Sequence, residues 1–283
     1  MWHFTKIPKI SHWYWGNPTL PYLRYLTIYS FHKFNPDWEI RFYYPKKYFK
    51  TNTWKTFEQK YEFKGKDYYP ELKKLPIEFI EFDMKNIGVS NDISEVYKAG
   101  FFRQYYLSTI GGLGADMDMI FFKSINDLTI NKEENKDTTN ITSVHPKKNP
   151  AYRHNVSFML SAPNNNYYAY ILEKAKRKLN KKDYQSIGTH LINIEFPTLK
   201  SIEKKFKNLK VTDVTIESIY AYDAYVIPNI YNTGDMSRYT KNSIALHWYA
   251  GHSLAEKYIN EVTHLNYKEY NNVLCKTIRK VYE

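Results

Sequence analysis

The sequence predicts an α/β domain built on a parallel sheet, and three observations lead there. The chain opens on a strand, a helix and a second strand, the pattern that places two strands parallel through a crossover. Segments with the two-residue period of strands and the 3.6-residue period of helices then alternate to the end. No internal repeat, linker or low-complexity tract divides the 283 residues, so one domain accounts for the chain.

The elements follow in order. Residues 7–16 form a first strand closed by Gly16, with Pro8 tolerable at its start. Leu20 to Phe34 has a helix's apolar stripe, ended by Asn35-Pro36-Asp37. Trp38 to Tyr44 alternates as a strand. Residues 46–74 suggest a helix and then a loop, and Ile77 to Phe82 a short strand. Asp92-Ile93-Ser94-Glu95 resembles a capping box at the start of a helix reaching about Ile110. Val96, Ala99, Gly100, Arg103, Leu107 and Ile110 share one of its faces, and Gly111-Gly112 stops it. Leu113 to Phe122 is a strand interrupted by two acids. After a polar excursion at 131–139, strands are expected at 141–145 and 156–161, then helices at 166–182 and 183–193. Strands at 211–216, 225–228 and 243–248 and a helix over 266–283 complete the chain.

Composition narrows the function classes. The net charge of +12 asks for an anionic partner, although the basic residues are scattered in short clusters that suit solvated faces. Aromatic residues make up 18% of the chain, which favours a tyrosine-rich core and cleft over disorder. Cys275 is the single cysteine, so no intrachain disulfide forms. No apolar run approaches the ~18 residues that span a bilayer. No signal peptide is visible, and a cytoplasmic protein with at most peripheral membrane contact is expected.

The chemistry concentrates in Gly111-Gly112-Leu113-Gly114-Ala115-Asp116-Met117-Asp118. In a strand, residues i and i+2 point to one side, so Asp116 and Asp118 can converge. Two carboxylates in apolar surroundings need something positive, and a hard divalent cation is the natural partner. The alternative is a polar turn after a double glycine.

These residues resemble a known family. Ile7-Pro8-Lys9-Ile10, His12, Trp15-Gly16 and Asn35-Pro36-Asp37-Trp38 are similar to the opening of the sugar transferases of glycosyltransferase family 32. Ala99, Arg103, Gly111-Gly112 and Asp116-x-Asp118 resemble that family's central helix and DxD motif. His154-Asn155, Phe158-Met159, Ile187-Gly188 and Ala245-x-His247-Trp248-x-x-Gly251-x-Ser253 resemble its later landmarks. The same core occurs in the large clostridial glucosylating toxins. The resemblance implies a GT-A fold, a Rossmann-like mixed sheet flanked by helices. Residues 7–122 would form the nucleotide-binding half and 141–283 the acceptor half. It also implies retaining transfer from a nucleoside-diphosphate sugar, UDP-sugar before GDP-sugar, to a glycan or other hydroxyl acceptor, with Mn²⁺ or Mg²⁺. The chain departs from the family pattern in three places: Gly100 stands where an Asp is usual, Gly114-Ala115 replace Tyr-Leu, and Leu254 follows Ser253 where Trp is usual.

The resemblance assigns roles residue by residue. Asp118 is a direct metal ligand, and Asp116 acts through water or on the ribose. His247 is the third ligand or else a core histidine, with His252 as the substitute. Arg103, on the inner helix face, clamps the sugar or phosphate or pairs with an internal acid. Trp13 and Trp15 share one strand face and Tyr14 has the other; one face stacks on the nucleobase or packs the core. His12 is structural. Ser253 binds phosphate or caps a helix starting at Leu254. Asn155 meets sugar hydroxyls or precedes a strand, and Gly188 allows close approach of the acceptor or makes a turn. Two rival readings remain. One is a basic protein gripping single-stranded nucleic acid, which leaves the acidic pair unexplained. The other is a nucleotide-sugar binder without turnover, suggested by Gly100.

Overall fold

A computed structural model describes residues 2–48, 63–130, 137–144 and 154–283. Strand and helix alternate as the apolar periods require. β1 (Ile10–Tyr14) leads through α1 (Tyr22–Phe34) to β2 (Glu39–Tyr44), and α2 (Tyr69–Leu72) precedes β3 (Glu78–Glu81). α3 (Glu95–Thr109) then delivers the chain to β4 (Gly112–Ala115) and β5 (Met119–Phe121). β6 (Asn140–Val144), β7 (His154–Ser161), α4 (Asn166–Lys178), α5 (Thr189–Glu195), α6 (Leu199–Lys205) and β8 (Val211–Asp213) follow. The chain closes with α7 (Ile216–Tyr220), α8 (Ile227–Asn232), β9 (Ala245–His247), α9 (Ala255–Glu261) and α10 (Val273–Tyr282).

Seven strands make one sheet in the order β3-β2-β1-β4-β7-β6-β8, and β5 pairs with β9 in a second. β1 to β4 run parallel, as the opening pattern requires, while β7 runs antiparallel to both β4 and β6. The sheet is therefore mixed and flanked by helices, the Rossmann-like α/β arrangement that the resemblance implies. Its two faces follow the side-chain alternation of β1. Trp13 points into a core with Ile28 and Phe31 of α1, while Tyr14 points into a second core with Phe101 and Phe102 of α3. A third core joins Leu23 and Leu26 of α1 to Ile230 of α8, Ile259 of α9 and Ile278 of α10.

Several expectations are corrected. The run 113–122 is two strands in two different sheets, because the chain leaves the large sheet at Ala115 and enters the small one at Met119. Residues 225–228 form no strand: Pro228, lacking an N–H, sits in the first turn of α8, where none is needed. No capping box opens α3. Ser94 is its N-cap and makes no side-chain capping bond, and Glu95 is drawn instead to the Tyr14 hydroxyl and Lys98. The helix expected at 183–193 starts only at Thr189, because Asp183 accepts from the Gln185 and Ser186 backbones and holds a turn. The closing helix starts at Val273, capped by Asn272, which accepts from Cys275 N–H at 2.9 Å. Of the region 46–74, residues 49–62 lie outside the described part; the rest contains only α2, near its end. Residues 131–136 of the polar excursion and His145 at the end of an expected strand also lie outside it.

Candidate active site

The site forms where the chain passes from one sheet to the other. Asp116, Met117 and Asp118 are each pinned by a different neighbour. Asp116 N–H donates to Ser157 O of β7 at 2.9 Å, and Met117 O accepts from Thr27 Oγ1 of α1 at 2.9 Å. Asp118 O accepts from Trp248 N–H at 3.0 Å. The acids are thus presented by a turn rather than by one strand, and the turn is as fixed as a strand would be.

The small sheet brings in the third residue. Its register sets Met119 opposite His247, which puts the imidazole beside Asp118. His247 Nε2 lies 3.1 Å from Asp118 Oδ1, and Ala250 N–H donates to Asp118 Oδ2 at 2.9 Å. Tyr249 adopts the left-handed conformation at φ 52°, rare for an aromatic residue, and this bend turns the Ala250 N–H toward the carboxylate. Burial raises the cost of charging Asp118. The His247 imidazole, the Arg24 guanidinium and the Ala250 N–H outweigh that cost and hold its carboxyl well below the usual range. Ligand atoms of Asp116, Asp118 and His247 lie within 4.8 Å of one another. Two carboxylates and an imidazole suit Mn²⁺ or Mg²⁺-like chemistry, and His247 Nδ1 is buried without a partner. The residues present fit a divalent ion.

Arg103 serves the other acid. Its guanidinium pairs with Asp116 Oδ1 and donates to Val156 O of β7. Gly114 makes this possible: a Cβ there would sit 2.7 Å from Arg103 Cγ, so the bare strand lets the arginine stem cross it. That accounts for one departure from the family pattern. At another, a Cβ on Gly100 would meet Ile187 Cδ1 at 3.0 Å; α3 packs there against an apolar side chain and offers no carboxylate.

The remaining expected residues separate. Trp13 is fully buried against Phe31 and cannot stack on a ligand. Trp15 is half-buried with its ring N–H donated to Thr19 O at 2.9 Å. Tyr14 is buried, and its hydroxyl donates to Glu95 at 3.0 Å. His12 bridges Gly111 O at 2.9 Å and the Tyr43 hydroxyl at 3.1 Å, a structural role. Asn155 lies inside β7, one residue before the Val156 that holds Arg103. Gly188 is the N-cap of α5, and a Cβ there would lie 3.4 Å from Val156 Cγ2. Ser253 is exposed and does not cap α9, whose N-cap is Leu254. His252 accepts from Leu254 N–H at 3.2 Å, away from the acidic pair's ligand set.

Arg24 escaped the sequence reading. It is buried on α1, with its guanidinium 5.0 Å from the ring centroids of both Trp15 and Trp248. A desolvated cation–π contact contributes about 2 kcal/mol. The signal was available: an arginine amid Tyr22, Leu23 and Leu26 needs a partner for the same reason as Arg103.

No protein-family model matches the chain, and no curated protein matches it. The likeness to family 32 therefore stays one of motifs. Solved structures do resemble it. The glycosyltransferase PaToxG is 13% identical, with 98% of this chain and 91% of that one covered and a TM-score of 0.43. GlyE of Streptococcus pneumoniae TIGR4, also a glycosyltransferase, is 10% identical over 98% of this chain and 61% of its own, at 0.49. The galactosyltransferase LgtC, solved with donor and acceptor sugar analogues, is 13% identical over 92% of this chain and 100% of its own, at 0.39. Likenesses this distant carry no argument about activity, which rests on the geometry of the site.

Proposed function

We propose that the protein is a metal-dependent retaining glycosyltransferase. It takes a sugar from a nucleoside-diphosphate sugar, UDP-sugar before GDP-sugar, and gives it to a glycan or other hydroxyl acceptor. The observation that carries this is the convergence of Asp116, Asp118 and His247 at the end of β4, with Arg103 on the first acid. Carboxylates alone would repel a diphosphate, so such a cluster beside buried guanidinium groups suits an ion and a phosphorylated ligand together.

Asp118 and His247 hold the ion, with Asp116 completing the set or contacting the ribose. The ion supplies charge neutralisation and Lewis acidity for the leaving diphosphate. Arg103 steadies Asp116 and stands ready to donate to the sugar or phosphate. Trp15, half-exposed at the end of β1, is the aromatic left to stack on the base. Asn155 and Gly188, flanking Val156, line the acceptor side. The acceptor oxygen attacks the anomeric carbon on the face that the diphosphate leaves, the bond to the phosphate oxygen breaks, and the acceptor proton passes to that oxygen.

The test is to incubate the protein with Mn²⁺ and a panel of nucleotide sugars and follow free nucleoside diphosphate. Release from a UDP-sugar is expected. No release, and no thermal stabilisation by any donor, overturns the reading. Stabilisation without release supports the second reading, a donor binder without turnover, which the lack of a carboxylate at Gly100 favours. Among the described residues no helix is long and apolar enough to cross a membrane.

A further inference from the structure

We propose that the ends of α4, α5 and α6 form a face that docks the protein on an anionic lipid surface. Such docking stands apart from the catalytic reading above. The basic residues look scattered along the sequence, but the fold gathers the largest share of them. Residues 171–210 hold eleven basic and four acidic residues, a surplus of seven in a chain of net charge +12. Packing brings the three helix ends to one place. The Tyr170 ring of α4 meets Phe196, just after α5, at 5.7 Å and Phe206, just after α6, at 6.0 Å. Lys174 Nζ of α4 and Lys205 Nζ of α6 lie 5.3 and 3.3 Å from the centre of that same ring.

The acids of this stretch are spent on internal partners. Glu173 pairs with Lys176 at 2.6 Å, Glu195 with Lys174 at 3.4 Å and Asp183 with His190 at 2.6 Å. Glu203 accepts from Val211 N–H at 2.9 Å. Arg177, Lys178 and Lys181 at and just after the end of α4 are exposed, as are Lys200, Lys204 and Lys207 on α6 and the turn after it. Among the described residues, the ion pairs of this stretch leave all six without a carboxylate. Their summed field attracts a negative surface, and each Lys or Arg near a headgroup layer adds to the pull. Ile194 of α5 is a second, independent pointer. It is 78% exposed, beside the Glu195 that binds Lys174 and the Tyr170 hydroxyl. An exposed aliphatic side chain amid cations suits interfacial binding, where apolar groups enter the headgroup–acyl boundary and charges hold the headgroups. A single-stranded nucleic acid needs exposed rings to stack on. Here Phe196 is buried, Tyr170 and Phe206 are half-buried, and Lys205 lies over Tyr170.

The full chain is sedimented with phosphatidylcholine vesicles that contain either no phosphatidylserine or about 30% of it. The wild type should pellet with the anionic vesicles only, and added salt should release it. Lys204→Glu combined with Lys207→Glu should weaken that binding by about tenfold or more, and Ile194→Ser by about fivefold or more. Lys73→Glu combined with Lys74→Glu changes the net charge equally, but beside α2, whose Leu72 packs in the core on the other side of the sheet. That control should bind as the wild type does. All the altered side chains are exposed, so the fold should hold, and the comparison of the two vesicles needs no variant. No binding to the anionic vesicles, equal binding to both kinds, or equal losses in the face and control variants overturns the proposal. So does an Ile194→Ser protein that binds as the wild type does. Tighter binding to oligo(dT) than to the vesicles also overturns it, and assigns the face to single-stranded nucleic acid.

Discussion

Asp118→Asn separates the charge of the central carboxylate from its shape. Asp118 is 8% exposed and accepts from Ala250 N–H at 2.9 Å while facing His247 Nε2 at 3.1 Å. Both asparagine and alanine remove the charge; asparagine can keep an oxygen for Ala250 N–H, whereas alanine also leaves that N–H orphaned. An orphaned buried donor costs about 1–3 kcal/mol, so Asp118→Ala should be less stable than Asp118→Asn by about that much. Ligand linkage then supplies the functional readout. A ligand at a hundred times its Kd stabilises by about 2.7 kcal/mol. For a chain somewhat longer than 250 residues, at roughly 2–4 °C per kcal/mol, that amounts to a Tm rise of about 5–10 °C. Thermal melts of the wild type with Mn²⁺ and UDP should show that rise, and Asp118→Asn should show none at the same ligand concentrations. An Asp118→Asn protein with the full Mn²⁺-dependent rise refutes the assignment of Asp118 as a metal ligand.

Three other predictions follow from the geometry. Burial, against the opposing bond to Gly111 O, and the nearby Arg41 charge hold the His12 pKa down at about 4 rather than 6.5. Between those values the unfolded chain binds more protons, so His12 contributes fully above pH 6.5 and loses about 3 kcal/mol as pH falls to about 4. Urea unfolding of His12→Gln should lose that slope, and an unchanged slope refutes it. Gly114→Ala would place a Cβ 2.7 Å from Arg103 Cγ, so it should cost about 1–3 kcal/mol and weaken donor binding; a variant matching the wild type in both melts and UDP titration is the contrary result. At Gly100, alanine gains about 1 kcal/mol of helix propensity against a 3.0 Å contact with the flexible end of Ile187, so its Tm should stay within a few degrees. A large drop would mean that α3 cannot shift there.

The parts of this fold legible in the sequence are those where one period runs long enough to be seen. α1 and the strands on either side of it are such parts, since thirteen and six residues of consistent pattern suffice for α1 and β2. α6 to α9 have five to seven residues each, less than two helical turns or barely that, and were hidden for that reason. The acidic pair was legible as a pair but not as a turn, because alternation continues unbroken while the backbone changes sheets. His247 was visible only through its neighbours in sequence; its meeting with Asp118 depends on the β5–β9 register, which no local pattern encodes. Arg24 and the Glu95 network show the converse limit. Their side chains are spent on partners up to 224 residues and 81 residues away, Trp248 and Tyr14, and local rules such as the capping box yield to such long-range pairings.

The contact between Asp118 and His247 spans 129 residues. Closing a loop of that length carries an entropic cost that other contacts must recover, which favours a late meeting of Asp118 and His247 as the chain folds. A growing chain that has made β4 but not β9 carries the acids without the imidazole. An ion seated there would act as a clasp, joining stretches that otherwise part early. A clasp that closes after the rate-limiting step predicts that Mn²⁺ slows unfolding and leaves the folding rate almost unchanged in stopped-flow traces. Folding accelerated by the ion would place the clasp in the nucleus instead.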